Sequence, residues 1–231
     1  MIAVVLAAGL STRLRPLTDT LPKPMLPIGG RPMLEYVIGH LASHNLRQII
    51  ITTHYMSQRI VDYFGDGNRF GVCLRYSHEE VLMNTAGSLK LMENLLNDRF
   101  LVVGGNDLLP ELDIADLERF HALNGALGTI VFKEMEDPTL FGQGILGEDG
   151  RLIAFREKAN PPMSHLIHTT YQVYEPDVLA LIPSNVPASI PEHLIPALLA
   201  RDKKVMGYVT TSPFVCISTK ESYLKARGDV S

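Results

Sequence analysis

Four apolar residues, Val4, Val5, Leu6 and Ala7, run directly into the small residues Ala8, Gly9 and Ser11, and this junction constrains the fold more than any other part of the chain. A short apolar run bounded by turn signals reads as a buried strand. Small residues after it let backbone N–H groups approach a ligand closely, and successive N–H groups form an anion-binding concavity. Thr12, Arg13 and Arg15 follow on the same loop, and Lys23 stands further on between Pro22 and Pro24. Cationic side chains there supply the charge that a polyphosphate needs. The stretch reads as a strand opening onto a nucleotide-phosphate cradle. Two other phosphate loops are excluded. No glycine, four residues and Gly-Lys-Ser/Thr follow any strand, and the next glycine after Gly9 is Gly29, too far for a Gly-x-Gly-x-x-Gly fingerprint.

Beyond the loop, helical and strand patterns alternate. Leu34, Val37, Ile38 and Leu41 fall at helical spacing from about Pro32, Gln48 to Thr53 is β-rich, and a helical pattern from Arg59 stops at Gly65-Asp66-Gly67. A strand at Val72 to Tyr76 precedes a helix at Thr85 to Leu96 with Leu89, Met92, Leu95 and Leu96 facing inward. Phe100 to Val103 is an apolar strand running into Gly104-Gly105-Asn106-Asp107, and Asp113 caps a helix carrying Ile114, Leu117, Phe120 and Leu123. From Gly128 onward short strands dominate, with Thr219 to Ala226 as a closing helix. The alternation predicts an α/β fold: one doubly wound, mostly parallel, Rossmann-like sheet with a smaller antiparallel portion. No linker or repeat interrupts 1–231, so one continuous domain is expected.

Composition removes several function classes. A net charge of −4 gives no footprint for nucleic acid. No run approaches the ~18 apolar residues of a membrane span. Cys73 and Cys216 are too few for a disulfide framework, and with no signal-peptide pattern at the N-terminus they fit the cytoplasm. His40 and His44 have metal-binding spacing on a helix but no third ligand pattern, and His165 and His168 have none either.

The opening string resembles the signature of the sugar-1-phosphate nucleotidyltransferases (nucleotide-sugar pyrophosphorylases), usually Gly-x-Gly-Thr-Arg-Leu followed by Pro-Lys-Pro. The resemblance continues through Glu79, Glu80 and Thr85-Ala86-Gly87, Asp107 to Asp113, and Phe155-x-Glu157-Lys158. It implies the nucleotide-diphospho-sugar transferase fold without an appended β-helix, and transfer of a nucleotide from a nucleoside triphosphate to a sugar-1-phosphate with Mg2+ as cofactor. A homo-oligomer is compatible with it. Catalysis falls to Arg13 and Lys23. Nucleotide binding falls to Leu6, Ala8, Gly9, Ser11, Thr12, Arg13, Glu79, Asn84 and Thr85. Asn106, Gly142, Glu157, Lys158 and Thr169 are implied for the sugar phosphate, and Asp107 for the metal.

This chain departs from the family pattern where the site is expected. Ser11 and Asn84 replace glycines, and His168-Thr169-Thr170 replaces the Asn-Ala-Gly of a strand that lines the sugar pocket. Cys216 stands where the family carries a second metal-binding aspartate. Two further functions therefore stay open: a regulatory relative that binds nucleotide or sugar with weak or no turnover, and a cytidylyltransferase for a non-sugar phosphate.

Overall fold

The computed structural model describes residues 1–228. The chain separates into two compact units. The first comprises Met1–Leu82, Val103–Pro110 and the described residues from Pro213 on; the second comprises Met83–Val102 and Glu111–Ser212.

Along the chain, β1 (Ile2–Leu6), the short hairpin of β2 (Pro27–Ile28) and β3 (Arg31–Pro32), α1 (Met33–Ser43), β4 (Gln48–Thr53), α2 (Ser57–Phe64) and β5 (Cys73–His78) build most of the first unit. Helix α3 (Asn84–Leu91) opens the second. Strand β6 (Phe100–Gly104) contributes its first three residues to the second unit and its last two to the first. Then β7 (Asp107–Leu108) returns to the first unit. The second resumes with α4 (Ile114–Asn124), β8 (Gly128–Glu134), β9 (Gly142–Leu146), β10 (Leu152–Glu157), β11 (Leu166–Tyr174), α5 (Ile195–Ala200) and β12 (Val205–Thr210). β13 (Val215–Cys216) and α6 (Lys220–Arg227) close the first unit.

The mixed α/β character agrees with the sequence. In the first unit β1, β4 and β5 are parallel, with Val4 opposite Ile50 and Ile50 opposite Arg75. Val4, Val5, Ile49, Ile50 and Ile51 are buried there with the Leu34, Val37, Ile38 and Leu41 stripe of α1. Most of the antiparallel pairing lies in the second unit, where β11 pairs with β8 and β9, and β9 with β10, while β12 runs parallel to β8; the first unit adds the β2–β3 hairpin and the β7–β13 ladder.

Two helices differ from expectation. Helix α3 ends at Leu91, and a 3-10 turn over Glu93–Leu95 follows, leaving Leu95 41% exposed instead of inward. The Met92 N–H bonds back only three residues, to Leu89 O, which tightens the last turn and rotates Leu95 outward. In α4, Leu123 is 80% exposed, and His121 completes the buried stripe with Ile114 and Leu117. The ring survives burial because its nitrogens meet Thr129 Oγ1 at 2.8 Å and Glu175 Oε1 at 3.2 Å. Asp113 caps α4 as expected, its Oδ1 accepting from the N–H groups of Ala115 and Asp116.

Candidate active site

The loop after β1 is held from beneath. Ala7 N–H donates to Thr52 Oγ1 at 3.0 Å, and Gly105 N–H donates to Leu6 O at 2.9 Å. A Cβ on Gly105 would sit 3.3 Å from both Ala7 Cβ and Leu6 O, so a bare backbone suits this approach. Ser11 has a left-handed φ of 57°, and Thr12–Leu14 form one 3-10 turn after it. Thr18 Oγ1 donates to Ser11 O at 2.9 Å, and Tyr55 OH donates to Thr18 O at 2.9 Å. Leu14 is buried in a small core with Leu26, Met33, Ile217 and Tyr223. These anchors leave Gly9, Thr12 and Arg13 exposed, Ser11 half-buried, and Leu6 and Ala8 within the unit.

Lys23 begins a second 3-10 turn, Lys23–Met25, between the buried Pro22 and Pro24. The prolines fix φ on both sides and lower the entropy of aiming the side chain. Among the described residues Lys23 makes no ion pair. Burial pulls its pKa below the usual lysine value, Asp107 and Cys216 act upward, and Arg13 acts downward. The Lys23 side chain thus shares one electrostatic environment with the other candidate catalytic residue, Arg13, and the candidate metal ligand, Asp107.

Asp107 is only 4% exposed and accepts from Asn106 Nδ2 at 2.8 Å on Oδ1. Asn106 is held in turn by Ile217, whose N–H donates to Asn106 O at 3.1 Å. Across the two-residue ladder of β7 and β13, Cys216 stands directly opposite Asp107. Burial pushes the thiol pKa up, and the neighbouring Asp107 carboxylate pushes it further. Cys216 is therefore a neutral thiol and not a second anionic oxygen. Glu79 is buried in the same unit, its N–H donating to Thr53 O at 2.8 Å and its carbonyl facing His54 Nδ1 at 2.7 Å.

The remaining predicted residues belong to the second unit. Asn84 opens α3 at φ 58°, so Asn84 and Ser11, which depart from the family pattern's glycines, each keep a left-handed backbone. Thr85 Oγ1 accepts from Ile190 N–H at 2.7 Å. Gly142 faces Glu157 in the β9–β10 ladder, and a Cβ on it would fall 2.5 Å from Phe155 Cζ and 2.8 Å from Glu157 Oε2. Lys158, at φ 48°, directs its Nζ to Glu157 Oε1 at 3.4 Å. Gly142, Glu157 and Lys158 are thus neighbours. Thr169 turns away from them: it is buried, and its hydroxyl donates to Val131 O at 2.8 Å. Sequence reasoning missed Thr18, Thr52 and Gly105. The polar Thr52-Thr53 pair ending the apolar Gln48–Thr53 strand was the available signal for Thr52.

The family model described as nucleotidyl transferase matches residues 2–229. The chain is 36% identical over 230 residues to a mannose-1-phosphate guanylyltransferase of Mycobacterium tuberculosis, covering 99% of this chain and 64% of that protein. It is 34% identical to a UTP–glucose-1-phosphate uridylyltransferase of Synechocystis, over 86% of this chain and 55% of that protein. A crystal structure of a UDP-glucose pyrophosphorylase complexed with UDP-glucose superposes with a TM-score of 0.83, covering 99% of this chain and 98% of that one, at 20% identity. The chain belongs to the nucleotidyl transferase family, and it spans less than two thirds of the length of these two sequence relatives. No helix among the described residues is long and apolar enough to cross a membrane.

Proposed function

We propose that this chain transfers a nucleotidyl group from a nucleoside triphosphate to a sugar-1-phosphate, releasing pyrophosphate. The observation that carries the reading is Lys23, an ammonium fixed by two prolines, half-buried and without an ion-pair partner among the described residues. A lysine so placed is matched to an anionic ligand. The names of the relatives make GTP with mannose-1-phosphate the first pair to examine and UTP with glucose-1-phosphate the second.

In this reaction a phosphate oxygen of the sugar-1-phosphate attacks the α-phosphorus, the P–O bond to the β-phosphate breaks, and pyrophosphate leaves. The chemistry asks for alignment and charge neutralisation more than for covalent help. Backbone N–H groups of residues 8 to 13 cradle the triphosphate, Arg13 forks onto its oxygens, and Lys23 stabilises negative charge at the α-phosphate. Glu157 and Lys158 hold sugar hydroxyls and phosphate respectively. Mg2+ is bound in proteins through one or two carboxylates plus substrate phosphates. The buried Asp107 meets the lower limit of that requirement and would hold the ion together with phosphate oxygens. When bound, the ion supplies further neutralisation of the triphosphate charge.

One observation favours a second reading, a binding relative with weak turnover: the thiol of Cys216 faces Asp107 where a hard cation prefers another oxygen. The phosphate cradle is tested by calorimetry. Arg13→Ala is expected to weaken triphosphate binding by ~1.5–3 kcal/mol, the range for hydrogen bonds to charged groups, while leaving free-nucleoside binding unchanged. Equal losses for both ligands would remove the cradle.

A further inference from the structure

Strand β9 holds a fully buried amide that the proposed chemistry does not use, Gln143. A buried polar side chain is stable only where its hydrogen bonds are met, and those of Gln143 tie three separate points of the chain together. Its Nε2 donates to Pro138 O at 3.1 Å and to Ala159 O at 3.0 Å, and its Oε1 accepts from Met163 N–H at 2.8 Å. Two carbonyls and one N–H fit a primary amide in one orientation only. A leucine would leave all three unmet, and a glutamate would set a carboxylate against two carbonyl oxygens. Strand β9 therefore works on both its faces, because successive strand residues point to opposite sides. Gly142 makes room for Phe155 and Glu157 on one face, and Gln143 braces the loops against the other.

One of those loops begins at Lys158. Its φ of 48° is strained for a residue with a side chain and persists only where the surroundings impose it. Two hydrogen bonds do so. Lys158 N–H donates to Phe141 O at 3.0 Å, and the carbonyl of the next residue, Ala159, receives the Gln143 amide. Pro138 O accepts from Phe141 N–H at 3.0 Å as well as from Gln143 Nε2, so the segment that holds Lys158 N–H is fixed by the same side chain. The Lys158 side chain itself is 54% exposed, with Nζ 3.4 Å from Glu157 Oε1. Its aim is set by the backbone beneath it more than by packing of its own atoms.

We infer that Gln143 is a positioning residue that acts through Lys158: it locks the left-handed turn that points the ammonium at the acceptor's phosphate, and it touches no ligand itself. This rests on the transferase reading above, which gives that phosphate to Lys158, and it adds the group that sets the lysine's geometry. A charged group held a fraction of its reach out of place loses most of its value in alignment, so one buried amide on the far face of β9 governs how well the acceptor is held.

A double-mutant cycle tests this. Gln143→Met keeps most of the buried volume and removes all three hydrogen bonds. With mannose-1-phosphate and glucose-1-phosphate as probes, Gln143→Met is expected to raise KM for the sugar phosphate about tenfold, within the loss that a misplaced group brings, with KM for the triphosphate unchanged. In a Lys158→Ala background the same change should add less than about twofold, because the residue it positions is gone. A glutamine that only stabilises the fold would give the same factor in both backgrounds. That result, or an unchanged KM in folded Gln143→Met, overturns the assignment. Should Gln143→Met fail to fold, hydrogen exchange on the unaltered protein decides. The amides of Lys158 and Met163 should show the same protection, since opening the Gln143 clamp frees both; a Lys158 amide that exchanges freely while Met163 stays protected overturns the clamp. Failure of the transferase reading looks different, as no substrate pair then releases pyrophosphate. The cycle is in that case read in mannose-1-phosphate affinity by titration, where coupling between Gln143 and Lys158 keeps the positioning role and additivity removes it.

Discussion

The loop of the first unit and the sheet face of the second, the two halves of the proposed site, are built in opposite ways. Residues 8 to 13 present mostly backbone, on a loop whose tip is exposed and whose underside is tied to Thr18, Thr52 and the Leu14 core. The face on β9, β10 and β11 presents side chains, packed so closely that Gly142 leaves no room for a Cβ. The first arrangement suits a polyphosphate, whose oxygens accept from any N–H and whose charge is met by Arg13 and Lys23. The second suits a sugar, whose hydroxyls must be told apart by fixed polar atoms. The proposed function therefore assigns affinity from main chain and charge to one unit, and selectivity from side chains to the other.

Three substitutions probe that contrast, in falling order of effect. Lys23→Ala should lower turnover about a hundredfold, the scale for losing one group that stabilises transition-state charge, with the melting temperature nearly unchanged because Lys23 contributes little core burial. Steady-state kinetics beside a thermal melt checks this; unchanged turnover in a folded variant places Lys23 outside the chemistry. Gly142→Ala comes next. The new methyl displaces Phe155 and Glu157, so the affinity for the sugar phosphate should fall about tenfold, or ~1.4 kcal/mol, with triphosphate affinity unaltered in a titration. A matching fall in triphosphate affinity would erase the division of labour. Smallest is Ser11→Gly. Removing a Cβ from a left-handed position relieves roughly 1 kcal/mol of backbone strain, which denaturant unfolding should register as a gain in stability. A loss instead would mean that the Ser11 hydroxyl, which donates to Gly9 O at 3.2 Å, outweighs the strain.

The same contrast decides what could be read without coordinates. Ala8 to Pro24 is contiguous, so spacing and chemistry coincide in one string and the loop could be proposed as a phosphate cradle from the sequence. Gly142, Phe155, Glu157 and His168 come from three strands, and only pairing makes them neighbours. No local pattern announces such a face, and only family resemblance pointed at part of it. That resemblance selected Thr169, whose hydroxyl lies within a register shift of β11 and donates to Val131 O, an arrangement residue order does not show. The facing of Cys216 and Asp107 was anticipated from the closing strand and is present as a ladder pair. The orientations of Leu95 and Leu123 were missed for a simpler reason. Helical spacing names a stripe, but a 3-10 turn at one end and a hydrogen-bonded His121 in the other stripe altered which residues fill it.

The most direct test of the central claim is pyrophosphate release from the purified chain, measured with each common nucleoside triphosphate against a panel of sugar-1-phosphates, with and without Mg2+. The expected result is release that requires both substrates together, beginning with GTP and mannose-1-phosphate among the pairs tried, and that collapses in Lys23→Ala. Folded protein that binds triphosphate through Arg13 yet releases no pyrophosphate with any pair would contradict it. The chain would then be a nucleotide-binding relative in which Cys216, opposite Asp107, marks lost catalysis.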